Sequence, residues 1–467
     1  MGLFSKLKTT AQNKVNDLQA GNSAPTPQQQ QPLASSSSSN PSSPFIVARN
    51  GSLFLGNTPY RFAGLNAPEL LDGDVNGPFE YANTFQSLSA PGAFSRAVTR
   101  TYTLRIKSKN VGRGHINGWN SGWGDWEWDE ERLKEIDRVI AEAARYGVRL
   151  IIPIISNFDS EDTNWVGGWM DLIRLKKGFG SNEEATRSGI DWWTDNEMLE
   201  AFKLIIDKLV NRVNHLTGVR YADDATILAW ETGNEMCVNG MRPAPASWTL
   251  TVAAHLKSRA PNHLVMDGSF ARTEHIGSCW PVEVLQSPLV DIISYHYYGS
   301  GDIKRVKKDC ELAKKYGKVF IAGEFGFFSH ANEYASFLSA LDSAGGAGAL
   351  VWSLRPASAR GGYKTHGEGD GQWSYHLPGW EQPLHGEFDP RSSSIVAAIR
   401  SASFKMNREK TGQELGRRQV WDCTKEGELA VDVSMELGVA PREVLGLRLR
   451  GIGVEGAFGP ESEELAL

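Results

Sequence analysis

No stretch of this 467-residue chain holds the roughly 18 consecutive apolar residues that a membrane-spanning helix needs, so a soluble protein is expected. Cysteine is scarce. Cys237, Cys279, Cys310 and Cys423 are scattered and form no C-x-x-C pair, which argues against a zinc ribbon and against a disulfide-built scaffold. Basic excess is absent as well: a net charge of −6 gives no electrostatic footprint for nucleic acid, and none is expected as a partner. The first strand-to-helix turn lacks G-x-G-x-x-G, which speaks against a dinucleotide fold.

The N-terminus has its own shortages. "MGLFSKLKTTAQNKVNDLQA" is too polar for the core of a secretory signal, and Lys6 stands where a myristoylation motif wants Ser or Thr. Phe4, Leu7, Ala11, Val15 and Leu18 fall at helical spacing, which allows contact with a membrane surface, although a free tail is the stronger expectation. Gly21 to Pro44 carries no aromatic or β-branched apolar residue and cannot offset the entropy of ordering, so residues 1–44 are expected to be a disordered tail.

Order is expected to begin at "FIVARNGSLFLGN", where Asn50-Gly51 supplies the two positive φ angles of a tight hairpin. Eight apolar runs follow: "YRFAGLN", "AVTRTYT", "VRLIIPII", "ILAWET", "HLVMDG", "VDIISYHYY", "KVFIAGE" and "GALVWS". Amphipathic stretches alternate with them. In "DEERLKEIDRVIAEAARYG", Leu133, Ile136, Ile140 and Ala144 make one stripe behind an acidic start. Near-continuous apolar strands separated by such helices mean a parallel sheet covered by helices. Eight units favour an α/β fold of the (β/α)8 TIM-barrel type, closed by the N-terminal β-hairpin, over residues 45–405. Residues 406–467, charged and weakly periodic, are left unassigned.

In such a barrel the chemistry lies at the C-terminal ends of the strands. Asn66 ends the first run, Arg100 lies in the second, Asn157 follows the third, and Asn234 and Glu235 follow the fourth. His296 and Tyr298 end the sixth, Glu324 the seventh, and Trp352 lies near the end of the eighth. Two carboxylates on facing strands have one dominant use, splitting a glycosidic bond, in which one protonates the leaving oxygen and the other attacks the anomeric carbon or activates water. Glu231, four positions before Glu235, is read as structural, since strand alternation turns it into the barrel. Asp223 and Asp224 are expected to turn the chain into the fourth strand. "NGWNSGWGDWEWDE" puts Trp119, Trp123, Trp126 and Trp128 in one loop, where sugar platforms and ordinary packing weigh about evenly. A bridge between Cys237 and Cys279 is compatible with their places after the fourth and fifth strands, and free thiols are the default.

"ILAWETGNEM", "SYHYY", "IAGEFG" and "VWS", in this order, resemble the fourth, sixth, seventh and eighth strand motifs of glycoside hydrolase family 5. "RVNHLTGVRYADDATILAWETGNE" and "FAGLNAPELL" are similar to its endo-β-1,4-mannanase branch. The resemblance implies Glu235 as acid/base, Glu324 as nucleophile, and Asn234 beside the reacting sugar. It also implies Arg100 keeping Glu324 ionised, His296 and Tyr298 as orienting groups, Trp352 as a stacking floor, and Trp165 of "TNWVGG" as a cleft aromatic. The implied activity is retaining, endo-acting hydrolysis of β-1,4-mannan or glucomannan, with a β-linked glycan as partner and no metal or organic cofactor; a monomer is expected. Met236, where many members have Pro, and "NAPELL" depart from the pattern in the subsites. A β-glucanase or exo-acting enzyme of the family is the alternative, and a noncatalytic carbohydrate-binding barrel is the alternative of another class. Location stays open, because no export signal is legible while the family's usual polymers lie outside cells.

Overall fold

The computed structural model describes residues 43–409, apart from 72–75, 103, 164–165, 239–241, 272–278, 363, 365, 370–371 and 376–389. The expected tail over 1–44, save 43 and 44, and the extension beyond residue 409 lie outside the described residues, as do Trp165 and Cys423.

The chain opens with β1 (Ile46–Arg49), β2 (Ser52–Leu55) and β3 (Thr58–Pro59). Asn50 and Gly51 stand at φ 49° and 73°, and Arg49 pairs with Ser52, which is the two-residue turn that the Asn-Gly dipeptide selects. The hairpin gains a third strand because the chain turns back through Thr58–Pro59 along β2. Ile46, Leu53 and Tyr60 pack with Phe62, Val98, Ile151, Leu228, Met266, Ile292 and Ile321 of the barrel strands in one apolar cluster, so this small sheet plugs the barrel floor.

All eight apolar runs form strands: β4 (Phe62–Leu65), β5 (Val98–Arg100), β8 (Arg149–Pro153), β9 (Ile227–Glu231), β11 (Leu264–Ala271), β12 (Ile292–Tyr298), β13 (Val319–Gly326) and β14 (Gly348–Val351). They pair in parallel in the spatial order β4-β14-β13-β12-β11-β9-β8-β5. The first and second barrel strands, β4 and β5, approach closely: Ala67 N donates to Arg100 O at 2.9 Å and Thr99 Oγ1 to Leu65 O at 2.8 Å. The result is a nearly closed eight-stranded barrel. A short added strand, β10 (Cys237–Val238), runs beside the upper end of β11, and an antiparallel hairpin of β6 (Ile116–Asn120) and β7 (Asp125–Trp128) follows β5.

The outer layer contains α1 (Pro78–Ser89), α2 (Glu130–Arg145), α3 (Trp169–Lys177), α4 (Asn196–Val210), α5 (Ala246–Arg259), α6 (Ile303–Lys315), α7 (Ala331–Ala344) and α8 (Ser392–Met406). The short turn Val282–Gln286 stands where the fifth helix of a regular barrel would be. Asp129 caps α2 by accepting from the Glu131 and Arg132 amides, which explains the acidic start read from the sequence. Its buried stripe is Leu133, Ile136, Ile140 and Ala143; Ala144, expected in the stripe, is exposed, because the helical period of 3.6 brings position 143 rather than 144 back under the sheet. Asp224 Oδ1 accepts from Thr226 N at 2.9 Å and so turns the chain into β9.

Of the four loop tryptophans, three fasten the β6–β7 hairpin. Trp126 is buried and donates Nε1–H to Ala201 O at 2.7 Å, Trp119 meets it edge to face at 5.0 Å, and Trp128 lies under Lys208. Trp123 at the tip is 80% exposed. Among the described residues no helix is long and apolar enough to cross a membrane. Cys237 is a free thiol whose Sγ accepts from Ala244 N at 2.9 Å, and the Cys279 sulfur accepts from Arg305 Nη2 at 3.0 Å, so the bridge left open above is not made.

Candidate active site

The upper ends of the strands bring together Glu235, Glu324, His296, Asn234, Arg100, Asn66 and Tyr298. The two carboxylates are 3% exposed each. One oxygen from each of them and one ring nitrogen of His296 lie within 4.8 Å of one another. That spacing is compact enough for a cation, but its members are already engaged with protein groups. His296 Nδ1 lies 2.7 Å from Glu235 Oε1 and 3.4 Å from Glu324 Oε2. Glu324 Oε1 accepts from Arg100 Nη1 at 2.7 Å, and its Oε2 accepts from the Tyr298 hydroxyl, whose ring stacks on Phe327 at 4.8 Å.

Backbone irregularities aim these groups. Tyr295 pairs with Ala322 but His296 pairs with Glu324, leaving Gly323 as an extra residue on β13. Such a bulge turns the following side chain, which here is Glu324. Glu235 lies past the end of β9 with φ at 51°, a left-handed backbone for a residue that has a Cβ.

Arg100 is the hub. Fully buried, it chelates Glu231 through Nε at 2.6 Å and Nη2 at 2.9 Å, and it donates to Asn234 Oδ1 at 2.7 Å and Asn66 Oδ1 at 3.4 Å. Glu231 is thus inside the barrel and paired. Its room comes from Gly268, where an added Cβ would fall 1.8 Å from Glu231 Oε1. Asn66 spends its amide N–H on Gly323 O at 2.9 Å and Leu350 O at 3.2 Å. Asn66 and Arg100, expected among the substrate contacts, are therefore wholly covered and support the carboxylates from below. Desolvation by burial is the largest effect on Glu324 and leaves its pKa raised, while His296 and Arg100, which lies against it, act to lower it.

Asn234 donates Nδ2–H to the Tyr102 hydroxyl at 2.6 Å and to Ser156 Oγ at 3.2 Å. Neither partner was singled out from the sequence. The signal for Tyr102 was its place two residues beyond Arg100. Its ring stands edge-on to Trp352 at 5.8 Å, and burial pushes its phenol well above the ordinary range. Trp352 itself is half-buried, leaving part of the indole to the cleft. Asn157 is half-buried at the rim, its Oδ1 accepting from Trp169 Nε1 at 3.4 Å, and its N–H donates to Asn234 O at 2.9 Å.

Beside this hub, on β11, stands the fully buried Asp267. Its Oδ1 accepts from Ser269 N at 3.1 Å, and its pKa is pushed up to about 6, chiefly by desolvation and further by the Glu231 charge. A carboxyl raised in the folded state stabilises fully below its unfolded value near 3.8, and that contribution is lost as pH rises through about 6. Asp267→Asn should therefore gain about 3 kcal/mol on the intact protein between pH 4 and pH 7.5, read as diverging urea midpoints. Parallel pH curves for the two proteins would rule out this account of Asp267.

Comparison with known proteins bears on the same barrel. Residues 120–334 match the family described as GH family 5 beta-mannosidase-like. Mannan endo-1,4-beta-mannosidase 2 of Oryza sativa subsp. japonica is 32% identical over 235 residues, covering 48% of this chain and 47% of the relative. Probable mannan endo-1,4-beta-mannosidase F of Aspergillus oryzae is 25% identical over 338 residues, 64% of each chain. The chain thus spans about half the length of the rice relative and under two thirds of the fungal one. The endo-1,4-beta-mannanase structure from Rhizomucor miehei superposes with a TM-score of 0.60 at 23% identity, over 77% of this chain and 99% of that one, and shows the shared fold. By sequence over residues 120–334, the chain carries a segment similar to the GH family 5 beta-mannosidase-like domain, set in a barrel of the same fold.

Proposed function

We propose that this protein is a retaining β-glycosidase acting on β-1,4-mannan or a related glucomannan. The observation that carries the reading is the pair of buried carboxylates from the fourth and seventh strands, with oxygens inside a 4.8 Å cluster around His296. Retaining enzymes hold their carboxyls about 5–5.5 Å apart and inverting ones about 6.5–9.5 Å, since the latter must seat a water between them. The compact cluster favours the first class.

In this mechanism Glu324 attacks the anomeric carbon and forms a glycosyl-enzyme, while Glu235 protonates the departing oxygen. Glu235 then takes a proton from the incoming water. Arg100 and the Tyr298 hydroxyl hold the Glu324 oxygens in line for attack. Trp352 offers an apolar face to the C–H side of the sugar. Asn234, tied on three sides by Arg100, Tyr102 and Ser156, stands rigidly beside the pair. Preorganisation of this kind makes the groups effective without movement in the transition state.

Mannan specificity draws its support from the names of the relatives. The test is a panel of mannan, glucomannan, cellulose and aryl glycosides with the full chain. Release of oligosaccharides from mannan in preference to cellulose is expected, and equal or cellulose-preferring turnover would overturn the substrate. An end-acting second reading has one observation behind it. The segment after β14 is fastened over the first helix, Ala357 N to Asn83 Oδ1 at 2.9 Å and Ala359 N to Glu80 Oε1 at 3.0 Å, which builds a wall starting five residues past Trp352. Early products consisting of single sugars would favour it.

A further inference from the structure

We propose that Ser294 is a positioning residue for His296, its hydroxyl donating to ring Nε2 and so holding the imidazole in the form that carries its proton on Nδ1. The proposal rests on the glycosidase reading above and extends it to a residue that contacts neither sugar nor carboxylate. Nδ1 of His296 faces oxygens of both Glu235 and Glu324, a place suited to a donor. With the proton on Nε2 instead, a lone pair would face both carboxyl groups. The choice between these forms is made on the far side of the ring, by whatever meets Nε2.

Ser294 lies two positions before His296 on β12, so strand alternation puts both on the interior face. Its side chain is wholly buried, and its Oγ has no hydrogen-bond partner within the protein. Both strands flanking it break register at this level. On β11 the pairing jumps from Asp267 with Ile293 to Phe270 with Tyr295, and on β13 the extra residue is Gly323. Gly323 is the telling one. A Cβ there would lie 2.6 Å from Ser294 Oγ and 2.9 Å from His296 Nε2, so the two polar atoms border one small space that only glycine leaves open. Across it the hydroxyl reaches Nε2 by a turn about its Cα–Cβ bond or through a single buried water, and the donor chemistry is the same.

The consequence falls on Glu235. When His296 donates from Nδ1 to Oε1, the acid keeps its own proton on the other oxygen, where the leaving group needs it. In the opposite tautomer the bare Nδ1 would draw that proton away from the cleft.

The test is the ring-nitrogen spectrum of the full chain labelled with 15N-histidine, His296 being assigned by its loss in His296→Gln. The intact protein should show the Nδ1–H form, Ser294→Ala a mixture or reversal, and Ser294→Thr the original pattern. Turnover of Ser294→Ala should fall by about 10- to 100-fold with KM nearly unchanged. An Nε2–H form in the intact protein overturns the proposal, even if Ser294→Ala fails to fold, and so does an unaltered tautomer in a folded Ser294→Ala. The spectrum is read without substrate. Lack of activity on every glycan would sink the glycosidase reading and leave the tautomer assignment standing.

Discussion

Glu324→Ala should lower kcat on the preferred glycan by on the order of 10^4-fold or more, because the covalent route closes and only binding and the acid remain. The truncated side chain vacates the face from which the anomeric carbon is attacked. A small anion such as azide should then enter there and return activity, giving a glycosyl azide of inverted configuration. The same anion added to Glu235→Ala should give a product of retained configuration, since it replaces water in the second step. These opposite outcomes assign the two carboxylates separately. Turnover by Glu324→Ala equal to that of the intact protein would remove the chemistry proposed here, and inverted product from the intact protein would leave hydrolysis but exclude double displacement.

Arg100→Met should be the most destabilising single change near the site, by about 3–5 kcal/mol, measured as the shift in urea midpoint at constant m-value. The cost arises from what is left behind. Glu231 is wholly buried and loses the two Arg100 nitrogens that donate to it, while Glu324 and Asn234 each lose one donor. Adding Glu231→Leu removes the stranded charge and should recover part of the loss in stability without recovering turnover. If Arg100→Met unfolds at the same urea concentration as the intact protein, the buried cluster is not the internal support described here.

The barrel could be read from the sequence because its strands are covered on both faces and so appear as continuous apolar runs, with β9 and β13 buried at every position. The carboxylate pair was legible for a related reason: polar residues at the tips of such runs have no part in a core. Glu231 yielded to simple alternation. Less visible were the residues beyond short strands. β5 is only three residues long, so the chain carries no periodicity that would say where Tyr102 points, and Ser156 lies past the end of β8, where it makes only isolated bridges to Gly168 and Asn234. Asn66 and Arg100 were placed at the right strand ends, but no pattern in the sequence says whether a strand-tip side chain rises into the cleft or folds down. That depends on Gly268 and Gly323, whose missing side chains decide what fits beneath. The depth of burial that raises the Glu324 pKa is likewise a property of the assembled walls.

The left-handed backbone at Glu235 gives the molecule a resting debt. A residue with a Cβ held at φ 51° is disfavoured by about 1–2 kcal/mol against the right-handed arrangement. Glycine would sit there without strain, and a Glu235→Gly protein, which on the proposed reading lacks its acid, should outlast its parent on heating. If Glu235 is the proton donor proposed above, the ability to donate a proton and the ability to survive heat are opposed at a single α-carbon.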